Sequence, residues 1–324
     1  MLRIIFMGTP RFAVPALTAL IRGTTPGKLL PEGYEIATVI TRPDKPAGRG
    51  RDIVSSPVKL TALEHGIPVW QPGSLKKQAA IEALAAYKAD LYIVAAFGQI
   101  LPQAVLDQPR YGTLNIHASL LPKYRGADPI AETILQGDSE AGVTIMQVDT
   151  GVDTGPILLQ QAIPIDDNET TGSLTLKLAD LGAQALLEAL PLWIAGKITP
   201  VPQDESKATH TRMLRKEDGR LHWDRPAAVL ARQIRAYTPW PSAYTYWNGK
   251  LLKIVHAYPL QVEIDGESKA GTVKQRTDSG HQVLAVVTGS GLLLVRQLQL
   301  EGKKAMSAEE FLRGYRQIVG QVLI

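Results

Sequence analysis

The feature that most constrains this chain is an alternation, over about the first 165 residues, between short apolar runs and helically spaced stretches. Leu2–Met7 is an apolar run stopped by Gly8-Thr9-Pro10, and Ala13–Leu20 then carries apolar residues at helical spacing. The same reading predicts strands over 35–41, 67–70, 90–97, 112–118, 142–148 and 156–165. Between and after them it predicts helices over 56–66, 78–88, 129–135 and 174–190. The run DLYIVAAF from Asp90 is apolar at nearly every position, as expected of a parallel strand covered on both faces. The expected fold is α/β, with a doubly wound, mainly parallel sheet of Rossmann-like type.

The texture then changes. Residues 195–208 (AGKITPVPQDESKA) are polar, with two prolines and no period, and read as a surface linker. Beyond them come short β-rich runs over 243–247, 251–257, 282–287 and 289–300, with Asn248-Gly249 as a hairpin signal. A helix is expected near 307–315, with Ser307 and Glu310 forming a capping box. This pattern suggests a small β-barrel. With 324 residues, two domains are expected, divided as 1–194, a linker 195–208, and 209–324.

Composition removes several chemistries. The chain has no cysteine, which excludes disulfides, thiolate metal sites and a cysteine nucleophile. No run approaches the roughly 20 apolar residues of a membrane span, and MLRIIFMGTPRF is broken too early for a signal peptide. The expected setting is cytoplasmic. The first strand–helix turn holds one glycine and Pro10, so it lacks the glycine pattern that cradles a pyrophosphate. The six histidines are scattered without metal-ligand spacing, and no metal is expected. Charge is uneven. Residues 1–208 hold 18 Lys+Arg and 21 Asp+Glu, a net of −3, whereas residues 209–324 hold 17 and 10, a net of +7. The basic second part suggests a polyanion partner, against the simpler reading of a solvated lysine-rich face.

The segment LNIHASLLPKYRGADP, starting at Leu114, is the densest in chemistry. Asn115 and His117 lie two apart at the carboxyl end of a predicted strand, so both project to one side, where open α/β sheets bind ligands. An amide donor beside an imidazole suits a tetrahedral oxyanion and proton exchange with it. Asp153 follows between Gly151 and Gly155, where a carboxylate would orient His117 and raise its pKa. Each has a plainer alternative: a turn-forming Asn, a structural His, and an Asp that stabilises a turn.

In combination these residues resemble the signature of folate-dependent formyltransferases, whose asparagine, histidine and aspartate fall on Asn115, His117 and Asp153. FMGTPRFAVPAL, TRPDKPAGRGR, SLLPKYRGADPI, GVTIMQVDTGVDTGPIL, IRAYTPWP and GKKAMSAEEFL extend the likeness over nearly the whole chain, to the branch that acts on methionyl-tRNA. Tyr124 and Asp128 depart from the Trp and Ala often found there. The resemblance implies transfer of a formyl group from 10-formyltetrahydrofolate to the α-amino group of initiator methionyl-tRNA. It further implies folate contacts from Ser119, Leu120, Leu121 and Pro122, and a second domain of OB type. The apolar strand end over 95–100 reads either as pterin-pocket wall or as core.

The loop from Arg42 to Arg51 carries Arg42, Lys45, Arg49 and Arg51 with a single acid, Asp44. It reads as a solvated loop or as a phosphate contact. The resemblance implies that it meets the tRNA acceptor arm. Trp240 and Tyr244 read as core residues or as base-stacking ones, with core packing the expectation. A monomer is expected. Two rivals stand beside this reading: a formyltransferase for a small amine, such as an amino sugar nucleotide, and a tRNA-binding protein without catalysis.

Overall fold

A computed structural model describes residues 1–47, 52–264 and 268–324. Its first sheet is built from β1 (Leu2–Gly8), β2 (Tyr34–Ile40), β3 (Val69–Trp70), β4 (Leu91–Ala95), β5 (Thr113–His117), β6 (Glu140–Gln147) and β7 (Ile157–Pro164). The spatial order is β7-β6-β5-β4-β1-β2-β3. The five strands from β5 to β3 in that order run parallel, and β6 and β7 add an antiparallel end. Ile4, Ile5, Phe6 and Met7 of β1 are all fully buried, which explains why no period-2 pattern is visible there.

Helices α1 (Val14–Gly23), α2 (Pro57–Glu64), α3 (Gln78–Ala85), α4 (Gln103–Leu106), α5 (Pro129–Gln136) and α6 (Thr171–Ile194) alternate with these strands. The start of α2 follows from local chemistry. The Ser56 hydroxyl accepts the Lys59 N–H, and Pro57 occupies a position whose N–H would have no helical partner. The loop after β2 contains more structure than its composition suggested. Lys45–Ala47 pairs antiparallel with Asp52–Val54, while residues 48–51, including Arg49 and Arg51, lie outside the described residues.

Two compact units divide the chain. One comprises Met1–Pro129, Glu140–Pro164 and Thr175–Thr211; the other comprises Ile130–Ser139, Ile165–Leu174 and Arg212–Ile324. The polar stretch 195–208 is stitched into the first unit. Val201 and Ile157 exchange backbone hydrogen bonds of 2.8 and 2.9 Å, and His210–Thr211 pairs in parallel with Arg125–Gly126.

The second unit carries β8 (Ala243–Trp247), β9 (Lys250–Leu260), β10 (Val273–Asp278), β11 (His281–Val287), β12 (Leu292–Leu300) and β13 (Met306–Ser307). All are antiparallel, in the order β8-β9-β12-β11-β10, with β13 on β12. Asn248 and Gly249 both have positive φ, 48° and 73°, the requirement of a two-residue type I′ hairpin. The last residues close the barrel between its two edge strands. Gly320 N–H donates to Val273, Val273 N–H to Gln321 and Leu323 N–H to Gly271, while Tyr246 and Ile324 bond each other. Inside, Trp247, Leu293, Val295, Phe311 and Leu323 share one buried cluster with residues of α7 (Ala227–Ala236). The helix α8 (Ala308–Gly314) begins with the expected capping box of Ser307 and Glu310.

Candidate active site

The carboxyl end of β5 presents Asn115 and His117 on one side of the sheet, next to β4 and beside β6. The chain then turns through 118–126, and its path is fixed from β6 and β7. The Thr144 hydroxyl donates to the Ser119 carbonyl (2.7 Å) and accepts the Leu121 N–H (3.1 Å). Gln160 donates to the Leu121 carbonyl and to the Thr144 hydroxyl, both at 2.9 Å. Tyr124 has φ 62°, and its carbonyl comes to 3.0 Å from His117 Nε2.

Asp153 is brought to these two residues by the turn between β6 and β7. Asp149 shapes that turn by accepting the Gly151 N–H (3.1 Å) and the Thr154 hydroxyl (2.7 Å). Gly155 is required by space alone: a Cβ there would lie 1.8 Å from the Gln147 carbonyl oxygen. Asp153 itself has φ 55°, a left-handed conformation that Asp tolerates better than most residues. Its Oδ2 accepts the Gly126 N–H at 2.8 Å and lies 3.5 Å from His117 Nδ1. Its Oδ1 lies 3.5 Å from Asn115 Nδ2. The three side chains singled out from sequence therefore converge, although 38 residues separate Asn115 from Asp153.

The electrostatics of His117 follow from this packing. A carbonyl oxygen can only accept, so Nε2 carries the proton toward Tyr124 and Nδ1, facing Asp153, is the nitrogen that titrates. Burial pushes the imidazole pKa below its ordinary value; the Asp153 carboxylate and the Tyr124 carbonyl pull it back only in part. The expectation from sequence was a raised pKa. The carboxylate does act in that direction, but the side chain is 6% exposed and desolvation wins.

The remaining site residues divide. Ser119 and Leu121 are buried, and the Ser119 hydroxyl is spent on the Lys123 carbonyl at 2.6 Å; Leu120 and Pro122 are half-buried. Leu120 packs so closely on Gly142 that a Cβ there would sit 2.4 Å from its side chain. Ala96 and Gly98, just past β4, both have positive φ, so the strand end turns sharply; Ala95 and Phe97 stay buried in the core, while Ala96, Gly98 and Ile100 are exposed.

Arg42 is half-buried, its carbonyl accepting from Gln71 Nε2 (2.8 Å), and its guanidinium lies beside Gly98. Lys45 is exposed. Asp44, the lone acid of that loop, accepts from Lys59 (2.5 Å), Gln71 (2.8 Å) and Ser55 (3.3 Å). These donors hold its carboxyl below the usual carboxylate range. In the second unit Tyr244 is buried as expected, whereas Trp240 is 53% exposed, against the core reading.

Sequence reasoning passed over Arg125 and Gln203. Arg125 is 1% exposed, with its guanidinium paired to Glu205 (2.7 Å) and bonded to Gln203. An arginine flanked by Tyr124 and Gly126 in a loop reads as solvated. Only the folded chain brings its partners from about 80 residues away.

A sheet of this order, with an amide and an imidazole at the end of β5 and a carboxylate brought to them by the turn between β6 and β7, defines a class, and comparison with known proteins agrees. The formyl transferase family profile matches residues 2–190, and the profile of its C-terminal domain matches residues 213–316. The chain belongs to the formyl transferase family. Within it, the methionyl-tRNA formyltransferase of Lachnospira eligens is 44% identical over 322 residues, 99% of both chains. Among solved structures, the sugar 3N-formyl transferase WlaRD, determined in the presence of dTDP and 5-N-formyl-THF, aligns with a TM-score of 0.65. It is 19% identical and covers 94% of this chain and 99% of its own. A variant of HypX from Aquifex aeolicus aligns with a TM-score of 0.59 at 20% identity, over 98% of this chain and half of the longer one. At those identities the two structures speak for the fold.

Proposed function

We infer that this chain transfers the formyl group of 10-formyltetrahydrofolate to the α-amino group of initiator methionyl-tRNA, for translation initiation. The convergence of Asn115, His117 and Asp153 carries the reading. The full-length relative's name supplies the acceptor, and a fold neighbour determined in the presence of 5-N-formyl-THF supports the donor class.

A free α-amino group has a pKa of about 7.7–8.0, so neutral nucleophile is available near neutral pH. Its attack on the formyl carbon places negative charge on oxygen and positive charge on nitrogen. The Asn115 side-chain N–H groups are the donors for the oxyanion. Burial keeps His117 neutral, so Nδ1 can take a proton from the amine; Asp153 then neutralises the imidazolium at 3.5 Å. That proton is available to the departing folate nitrogen. Ser119–Pro122 and the strand end over 95–100 form the folate wall in this reading, and Arg42, Lys45, Arg49 and Arg51 meet tRNA phosphates. The division is 1–194 for catalysis, 195–208 as connection and 209–324, with its +7 charge, for tRNA. The enzyme is a cytoplasmic monomer in this proposal and needs no metal.

The test gives the purified chain 10-formyltetrahydrofolate with charged initiator methionyl-tRNA, free methionine or an amino sugar nucleotide. Formylation confined to the charged tRNA is the expected result. A formylated amino sugar beside untouched tRNA would overturn the acceptor assignment.

A further inference from the structure

We propose that Gln203, held by the buried guanidinium of Arg125, is a positioning residue that sets the place of Asp153. The inference rests on the reading above that Asp153 takes part in formyl transfer.

The amide works in two directions. Its Oε1 accepts from Arg125 Nε (3.0 Å) and Nη2 (2.9 Å), which fixes the oxygen end. Its Nε2 therefore faces the opposite way, where it donates to the carbonyls of Asp153 (2.9 Å) and Gly155 (2.7 Å). Those two carbonyls belong to Asp153, held in its left-handed conformation, and to the residue two further along the same turn. Arg125 is itself anchored, since Nη1 and Nη2 donate to the Glu205 carboxylate at 2.9 and 2.7 Å. The residue after Arg125 completes the arrangement: the Gly126 N–H donates to Asp153 Oδ2. One buried cation thus determines the backbone of Asp153 through Gln203 and its carboxylate through Gly126. The arrangement uses one acceptor and two donors on a single side chain, which an amide supplies. A carboxylate lacks the donors, an ammonium lacks the acceptor, and a hydroxyl or neutral imidazole has only one donor. The polar stretch after α6, which reads as a plain connection, contributes a side chain to the catalytic turn.

Gln203→Glu keeps the acceptor for Arg125 and removes both donors to the turn; Gln203→Met keeps the length and removes both ends. A displacement of about 1 Å at a reacting group costs up to about 100-fold in rate. Both variants are therefore expected to lower kcat about 10- to 100-fold, with KM for folate and for charged tRNA within about threefold of wild type. Their thermal midpoints, read by circular dichroism, show that the assayed protein is folded; should one variant not fold, the other decides. Wild-type kcat in a folded variant overturns the proposal, as does a change confined to KM. Asp153→Asn is assayed alongside. If it turns over like wild type, the catalytic reading of Asp153 fails; if it collapses while the Gln203 variants do not, only the positioning inference fails.

Discussion

Asp153→Asn isolates the charge of the carboxylate from its place in the fold. The substituted amide retains an oxygen for the Gly126 N–H, now accepted at 2.8 Å, and the side chain is nearly isosteric, so the turn over 151–155 persists. What disappears is the negative charge 3.5 Å from His117 Nδ1. At an effective dielectric of roughly 20, two unit charges at that separation attract by about 4–5 kcal/mol. The attraction exists only while His117 is protonated, so its loss falls on the steps that pass through the imidazolium. With about 1.4 kcal/mol per factor of ten, the expected loss in kcat is about three decades. The assay is single-turnover formylation of charged initiator tRNA at saturating folate, with resolved product. A second readout is the NMR titration of His117, whose midpoint should move further down once the carboxylate no longer offsets burial. A folded Asp153→Asn protein within tenfold of wild-type kcat would refute the charge argument.

Three further outcomes follow from the same geometry. Arg42→Ala should raise KM for charged tRNA several-fold and leave KM for folate near wild type; steady-state kinetics with each substrate varied decides, and equal KM values would remove the loop from tRNA contact. Leu323→Ala should lower stability by about 2–4 kcal/mol, because Leu323 is 3% exposed in the barrel core and its neighbours close the edge strands; an unchanged midpoint in thermal unfolding would contradict that role. For His117 the folded pKa lies below the unfolded value of about 6.5, so the stability it contributes is present above that pH and is lost as pH falls through the folded pKa. Thermal midpoints should therefore decline below about pH 6.5, and the decline should be smaller in His117→Asn.

Much of this protein was legible as a string. Near-complete burial of β1 and β4 leaves almost continuous apolar runs, and such runs with helices between them point to a mainly parallel sheet. Asn248-Gly249 and the Ser307–Glu310 box read correctly because their chemistry is local: the turn needs two positive φ values and the helix start needs its own side chains. Asn115 and His117 were legible for the same reason, since a spacing of two on a strand fixes a shared side.

Other features depend on contacts that no local pattern encodes. Arg125 and Gln203 look like surface residues because burial of a guanidinium is decided by partners distant in the chain. The direction of the His117 shift required knowing how completely it is buried, since desolvation and the Asp153 charge oppose each other. Trp240 looked like core and is exposed. The sequence alone determined the fold class, the family and the chemical types at the candidate site, because periodicity and residue chemistry are written along the chain. Tertiary structure decided which nitrogen of His117 titrates, which way its pKa moves and what holds Asp153 in place. Those depend on distances of about 3 Å between residues far apart in sequence, and such distances exist only once the chain is folded.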